Sequence, residues 1–136
     1  MLPEKLTLEI VTPERLVLSE TVDEVLLPSV EGYMGVRPGH ASLLAQLDVG
    51  EISYRTDAGE RHLAVSGGFA EVLEGGVSIL AETAELAEEI DLERAQRSRE
   101  RAETLLKSQL SGQELLRAGL RLKKAIGRIR VREQAR

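Results

Sequence analysis

The stretch with most chemical potential in this sequence is EEIDLERAQRSRERA, from Glu88 to Ala102. Asp91 lies three residues before Arg94, and Arg97 and Arg101 follow at helical spacing, so the three guanidinium groups would share one stripe of a helix. Arginines in such a row can hold phosphate or carboxylate oxygens. The pattern predicts either an anion site or the solvated start of an amphipathic helix with Asp91 as its N-cap.

A second basic row follows at positions i, i+4, i+7 and i+11 of a later segment, formed by Arg117, Arg121, Lys124 and Arg128. We expect both rows to point away from the seam between their helices. Each row is either a solvated face or a surface for a phosphate, a nucleic acid or an acidic protein segment. Arg99 falls near the apolar stripe, so we expect its side chain to snorkel or to face the rest of the fold.

The charge is divided unevenly along the chain. Residues 91 to 136 hold 13 of the 18 Lys and Arg and 6 of the 23 Asp and Glu, a net charge of +7, whereas residues 1 to 90 carry −12. Such a break indicates that the two parts face different partners. All the aromatic residues, Tyr33, Tyr54 and Phe69, lie in the acidic part, which leaves the basic part without rings for stacking on bases. A compact anion or a protein is therefore a better partner than nucleic acid.

The sequence does not indicate catalysis. His40 and His62 have no recognisable partners, and no nucleophile-elbow, P-loop or zincin motif is present. The absence of Cys excludes disulfides, thiolate metal sites and cysteine nucleophiles. The acidic run ETAELAEEID is more simply a solvated segment than a metal site. We predict a protein that is not an enzyme, with no catalytic residue, no metal and no required cofactor.

The first part of the chain has the pattern of β-structure. Leu6, Leu8 and Ile10 alternate with polar residues, as expected of strands with one buried face. Turn signals rich in Gly separate the further short runs, which are RLVLSETV, VDEVLLP, EISYRT, RHLAVSG, FAEVLE and GVSILAE. Many short antiparallel strands predict a sandwich or a barrel.

Near Ala84 the apolar period changes to that of helices. Two amphipathic helices are predicted, with an interruption at Ser111 and Gly112; their apolar positions are Leu92, Ala95, Ala102, Leu106 and Leu110, then Leu115, Ala118, Leu122, Ala125, Ile126 and Ile129. They should form an antiparallel hairpin. Its Ala-rich seam buries little apolar area, which at about 25 cal/mol per Å2 gives docking of a few kcal/mol before entropy is subtracted. We therefore expect a hairpin that can open.

Two further features concern location. No apolar run approaches the roughly 20 residues that a membrane helix needs, so any membrane association should pass through a partner. The start, MLPEKLTLEI, alternates like a strand and carries acid early, which does not suit a secretory signal. We expect the protein to stay where it is made.

The strings MGVRPGHASLL, LAVSGGFAEV and VSILAETAELAEEID, in this order, resemble the epsilon subunit of bacterial F-type ATP synthase over nearly the whole chain. The resemblance implies a mainly β plus α fold, with a ten-stranded β-sandwich over residues 1–86 and a two-helix regulatory hairpin over residues 87–136. It implies a non-catalytic rotor subunit of the central stalk, which couples the catalytic head to the c-ring through contacts with the gamma subunit and the ring. The protein would be peripheral at the cytoplasmic face of the bacterial inner membrane, held there only through the complex.

The resemblance also assigns roles to residues. The turn at the tip of the sandwich would contact the c-ring through Tyr33, Met34, His40, Ala41, Ser42 and Leu43. ATP would be a regulatory ligand, held by Glu85, Ile90, Asp91, Arg94, Ala95, Arg101 and Arg128. In this set Ile90 and Ala95 would seat the adenine, Asp91 would accept from its amino group, and Arg94 and Arg101 would hold phosphates.

The same resemblance implies inhibition of ATP hydrolysis. The extended hairpin would present Arg117, Arg121, Lys124 and Arg128 to acidic segments of the catalytic beta subunits. ATP would favour the folded hairpin only by its differential affinity for that state. The alternative hypothesis is a cytoplasmic adaptor whose basic hairpin binds nucleic acid or acidic protein segments.

Overall fold

The computed structural model describes residues 5–134, so the outermost residues of the two predicted domains, 1–4 and 135–136, lie outside the described range. The described chain is β-structure followed by helices, which confirms the predicted fold class. The elements are β1 (Leu6–Val11), β2 (Leu16–Val22), β3 (Glu24–Ser29), β4 (Gly32–Val36), β5 (Leu43–Gln46), β6 (Gly50–Thr56), β7 (Gly59–Leu73), β8 (Gly76–Leu86), a 3-10 turn (Ala87–Glu89), α1 (Leu92–Leu106) and α2 (Gly112–Gln134).

The strands form one continuous hydrogen-bonded sheet that is folded into two layers. Their order is β2-β1-β8-β7-β6-β3-β4, and β5 also pairs with β7. The first part of β7 pairs with β6, and its last part pairs with β5, while β8 follows β7 along the other edge. β1 and β8 pair in parallel. The two long strands therefore belong to both layers and connect them.

The implied count of ten strands is wrong for residues 5–134, which contain eight. The runs RHLAVSG and FAEVLE, which the sequence separates at a Gly pair, are two parts of the single strand β7. Gly67 and Gly68 have φ of 64° and 108°, so the strand bends there without ending. A Cβ on Gly68 would lie 1.9 Å from the carbonyl oxygen of Leu80 in β8, so only glycine fits at this close approach of β7 to β8, which we call the Gly68 crossing.

The core lies between the layers and is built from the inward-facing positions of each strand. In β1 the fully buried side chains are those of Leu6, Leu8 and Ile10, in the alternation that the sequence predicts. They join one cluster with Val25, Leu27, Ile52, Leu63, Val72 and Ile79 from the other strands. None of the residues in this cluster belongs to α1 or α2.

The two helices pack against each other through alanines, as predicted. Ala95 and Ala102 of α1 and Ala118 and Ala125 of α2 are at most 3% exposed. Among the other predicted apolar positions, Ile129 is 7% exposed, whereas Leu115 and Ile126 are 49% and 36% exposed. Arg99 does not face the sandwich: its side chain is exposed, and its Nε donates to Glu103 Oε1 at 2.7 Å along the same helix. Within residues 5–134, neither helix is both long and apolar enough to cross a bilayer.

Candidate functional surfaces

The start of α1 resolves the structural role of Asp91. Its Oδ1 accepts from the backbone N–H of Arg94 at 3.1 Å, so the carboxylate is the N-cap of this helix. The side chains of Arg94 and Arg101 are exposed. Arg97 Nη1 lies 3.9 Å from Glu93 Oε2 within the helix. Capping thus accounts for Asp91, while two of the arginines in the row are open to an anion.

The residues predicted to seat an adenine are buried in this state. Ile90 is 4% exposed, and it packs with Ala64, Ala87 and Val131. Ala95 is 3% exposed in the helical seam. A base could therefore use these side chains only if the surrounding contacts rearranged. The nucleotide role of Ile90 and Ala95 stays a prediction.

Glu85 and Arg128, which are predicted as further nucleotide contacts, lie together and form an ion pair with each other. Arg128 Nε donates to Glu85 Oε1 at 2.5 Å, and both side chains are about one-third exposed. The cavity beside them, which Lys124 also lines, has a volume of about 10 Å3. Small-molecule sites usually have ~300–1,000 Å3, so the docked hairpin leaves no room for a nucleotide at this point.

The second basic row is divided by the packing of α2. Arg117 and Arg121 are exposed, as predicted for a solvated or anion-binding face. Lys124 and Arg128 are half-buried and line the small cavity against the sandwich. Lys124 and Arg128 face the sandwich, because this side of α2 packs on β6 and β7, and the inhibitory role of the row stays a prediction.

A second ion pair joins α2 to the sandwich nearby. Lys123 Nζ donates to Asp48 Oδ2 at 2.7 Å. This hydrogen bond from Lys123, together with one from the Val49 backbone N–H, lowers the pKa of Asp48 from its ordinary value. Sequence reasoning missed the pair because the two residues are 75 positions apart.

His62 has a partner, contrary to the sequence-based expectation. Its Nδ1 lies 2.8 Å from Glu51 Oε1, and the two side chains are only 15% and 14% exposed. In the amide orientation that satisfies its donors, the Gln134 nitrogen is 2.9 Å from both Glu51 carboxylate oxygens. The C-terminal end of α2 therefore contacts the His62–Glu51 pair of the sheet.

The predicted ring-contact residues lie on β4 (Tyr33 and Met34), in the segment after it (His40, Ala41 and Ser42) and at the start of β5 (Leu43). Ala41, Ser42 and Leu43 are exposed, whereas Met34 and His40 are half-buried. Tyr33 is 54% exposed, and its hydroxyl accepts from the backbone N–H of Glu51 at 3.2 Å. The exposed members are each accessible to a partner, and the ring contact itself stays a prediction.

The structure also reveals an apolar surface that the sequence analysis did not single out. Phe69, Leu80, Val11 and Leu16 are register neighbours across β7, β8, β1 and β2 on the outer face of the sandwich. We call these four residues the outer apolar row. Phe69, Leu80 and Leu16 are 51%, 63% and 56% exposed. The sequence did contain a signal for this row. Ala70, Ile79 and Ile10 are buried, so their chain neighbours Phe69, Leu80 and Val11 are apolar residues at outward positions of the strands.

No group of three His, Asp or Glu side chains within residues 5–134 is arranged to hold a metal ion.

Comparison with known proteins gives matches over nearly the whole chain. Residues 5–87 match the family model described as "ATP synthase, Delta/Epsilon chain, beta-sandwich domain". Residues 88–133 match "ATP synthase, Delta/Epsilon chain, long alpha-helix domain". The two matches meet between residues 87 and 88.

Full-length relatives are similar in sequence. The ATP synthase epsilon chain of Nitratidesulfovibrio vulgaris (strain DP4) is 46% identical over 132 residues, covering 97% of this chain and 98% of that one. The epsilon chain of Syntrophobacter fumaroxidans is 49% identical over 131 residues, covering 96% and 98%. The resemblance drawn from the motifs is therefore confirmed.

Solved structures give the same result. A chain of the Euglena gracilis mitochondrial ATP synthase, in an assembly of OSCP, F1 and c-ring, matches with a TM-score of 0.83 and 27% identity, covering 93% of this chain and 81% of that one. A chain from the central stalk and c-ring of the Tetrahymena thermophila enzyme has a TM-score of 0.62 at 13% identity, covers 99% of this chain and 98% of that one, and shows the shared fold alone.

Proposed function

Since the chain belongs to the ATP synthase delta/epsilon family and is a non-catalytic subunit, we propose that its sandwich couples the central stalk to the c-ring and that its hairpin inhibits ATP hydrolysis. The names of its relatives support the assignment to the complex. The adaptor hypothesis is set aside, because membership of this family accounts for both halves of the chain.

The observation that carries the coupling role is the outer apolar row. Its four members are neighbours across four adjacent strands, and three of them are more than half exposed, so they form one apolar patch on the surface. A protein partner that covers them gains apolar burial at about 25 cal/mol per Å2. We propose that the row packs against the gamma subunit, while β4 and the segment after it face the ring.

The coupling role can be tested by binding to purified gamma subunit. Phe69→Glu and Leu80→Glu should each weaken binding about tenfold or more, since a charge placed in the centre of an apolar interface is poorly solvated. Leu116→Glu is the matched control, because Leu116 is 75% exposed on α2, outside the outer apolar row. Equal affinities for all three variants would exclude the outer apolar row as the contact.

The inhibitory role is supported by the distribution of basic side chains on α2. Arg117 and Arg121 are exposed in the docked hairpin, and release of α2 would add Lys124 and Arg128 to the same face. An extended hairpin would therefore present a longer basic row to the acidic segments of the beta subunits than the docked one does.

ATP is proposed as a regulatory ligand, with Arg94 and Arg101 as its accessible cationic residues. Calorimetric titration of the isolated chain with ATP should give saturable heat that Arg94→Ala abolishes. Arg99→Ala is the control, since Arg99 lies on the same helix outside the predicted row and pairs with Glu103. If no heat develops at millimolar ATP, Asp91 is a helix cap alone and the sensing role is withdrawn.

The protein is proposed to lie at the cytoplasmic face of the bacterial inner membrane, held peripherally by the complex. Bacterial relatives that match over nearly their full length support this location. Fractionation of cells should recover the protein with membranes that contain the ATP synthase. Its presence in the supernatant of cells with an intact complex would contradict the location.

A further inference from the structure

The hairpin is attached to the sandwich through the C-terminal half of α2. This helix packs on β6, β7 and the 3-10 turn, while α1 packs on α2. The Ala-rich seam is therefore internal to the hairpin. Undocking α2 from the sandwich and separating α1 from α2 are distinct steps, and the contacts broken in the first step decide how readily the hairpin is released.

The buried apolar cluster that joins α2 to the sandwich is small. Val131 is fully buried and lies in one cluster with Ala64 of β7 and with Ala87 and Ile90 of the linker. Three of these four side chains are short, and only Ile90 among the partners of Val131 is large. Such a cluster positions α2, but the apolar area it contributes is limited.

The ionic part crosses from the basic helix to the acidic sandwich at two points. Lys123 reaches Asp48 in the segment between β5 and β6, and Arg128 reaches Glu85 near the end of β8. The pairs lie more than one helical turn apart on α2 and contact two separate parts of the sandwich. Together they constrain the orientation of the helix as well as its distance.

We propose that the Lys123–Asp48 and Arg128–Glu85 pairs form an ionic latch that sets the docked fraction of the hairpin, so that release of α2 increases with ionic strength. The latch is a property of the isolated chain. Its consequence for hydrolysis, that a chain with a weaker latch releases the inhibitory hairpin more readily, rests on the proposed function. Because these side chains remain partly exposed, mobile ions screen them within about a Debye length.

The test uses the full chain, whose lack of Cys allows specific labelling. Spin labels on Glu74→Cys, in the exposed β7–β8 turn, and Glu114→Cys, in the first turn of α2, report the docked and undocked populations as separate distances. Raising KCl from about 50 mM to about 1 M should increase the undocked population. Lys123→Gln and Arg128→Gln should each increase the undocked-to-docked ratio about two- to fivefold at low salt.

Two controls separate the latch from general effects of charge. Lys107→Gln removes one positive charge at the end of α1, where Lys107 forms the C-cap, and should leave the ratio unchanged. Glu85→Arg should release α2, and its combination with Arg128→Glu should restore docking, which shows that a misfolded sandwich is not the cause. If Lys123→Gln and Arg128→Gln match Lys107→Gln, the latch is overturned. That outcome would leave the gamma-binding and hydrolysis tests of the proposed function untouched.

Discussion

Arg15 Nη2 donates to both carboxylate oxygens of Glu89 at 2.8 Å, which joins the β1–β2 turn of the sandwich to the 3-10 turn that precedes α1. Glu89 Oε1 also accepts from the Leu86 backbone N–H at 2.9 Å. The linker is thereby fastened to the sandwich up to Glu89. Ile90 and Asp91, which have extended backbones, are the first positions at which a released hairpin can pivot.

The Arg15–Glu89 pair leads to a prediction about the pKa of Glu89. The hydrogen bond from Arg15 and then that from Leu86 lower the pKa of Glu89 from its ordinary value. Glu89 therefore stabilises the linker fully above the ordinary Glu pKa of about 4.3, and this contribution is lost as the pH falls through its lower folded-state pKa. Arg15→Ala should raise the Glu89 pKa, measured by carboxyl NMR, and Arg37→Ala should not. An unchanged pKa in Arg15→Ala would show that the pair is not formed in solution.

Asp48 gives a related prediction for the docked hairpin. Its pKa is lowered chiefly by Lys123, so docking should be favoured above the ordinary Asp pKa of about 3.9 and weakened as the pH falls below it. The spin-label distances should show α2 undocking progressively in this acidic range. Lys123→Gln should flatten this part of the pH profile, whereas Lys107→Gln should keep it. A profile that is identical in both variants would remove Asp48 as its source.

The Gly68 crossing predicts a large loss of sandwich stability on substitution. Gly68→Ala combines a φ of 108° with a Cβ that would lie 1.9 Å from the Leu80 carbonyl oxygen, so we expect it to lower the free energy of unfolding by about 3 kcal/mol or more. Gly59→Ala has a similar φ of 119° but open space around the Cβ, and should cost about 1 kcal/mol. Denaturant unfolding compares the two. Equal losses would mean that backbone conformation, rather than the crossing, requires glycine.

From the alanine seam between α1 and α2 we predict that a larger side chain in the seam separates the helices. Ala102 is 1% exposed, so Ala102→Leu should overpack the seam and weaken helix pairing by about 1–3 kcal/mol without affecting the sandwich. Thr104→Leu adds a leucine at an exposed position of the same helix and serves as the control. Amide hydrogen exchange should accelerate in α1 and α2 of the first variant alone. Equal protection of the helical amides in both variants would mean that the seam accommodates the larger side chain.

Periodicity allowed much of this structure to be predicted from the sequence. The alternation around Leu8 predicts a strand with one buried face, Asp91 is the predicted helix cap, and Ala95 and Ala102 lie in the predicted seam. These features depend on residues close together in the chain. The merging of two predicted strands in β7 was not predicted, because a Gly pair fits a turn as well as a bend.

The contacts between distant segments could not be derived in this way. Helical spacing shows that Arg117, Arg121, Lys124 and Arg128 share a row, but it does not show which end of the row another domain covers. The pairing of His62 with Glu51 depends on the register of β6 against β7. The outer apolar row likewise arises only when four strands are aligned, so the sequence contains its residues without showing their adjacency.

The inhibitory hairpin is tested most directly by ATP hydrolysis of a reconstituted ATP synthase. The complex should be assembled with the wild-type chain, with Arg117→Glu/Arg121→Glu, and with Leu116→Glu as a control for a new charge on α2. Reversal of the two exposed arginines should repel the acidic beta segments and raise the hydrolysis rate several-fold, while subunit binding through the sandwich is retained. A hydrolysis rate equal to that of the wild-type complex, with the variant fully bound, would contradict inhibition through the basic row of α2.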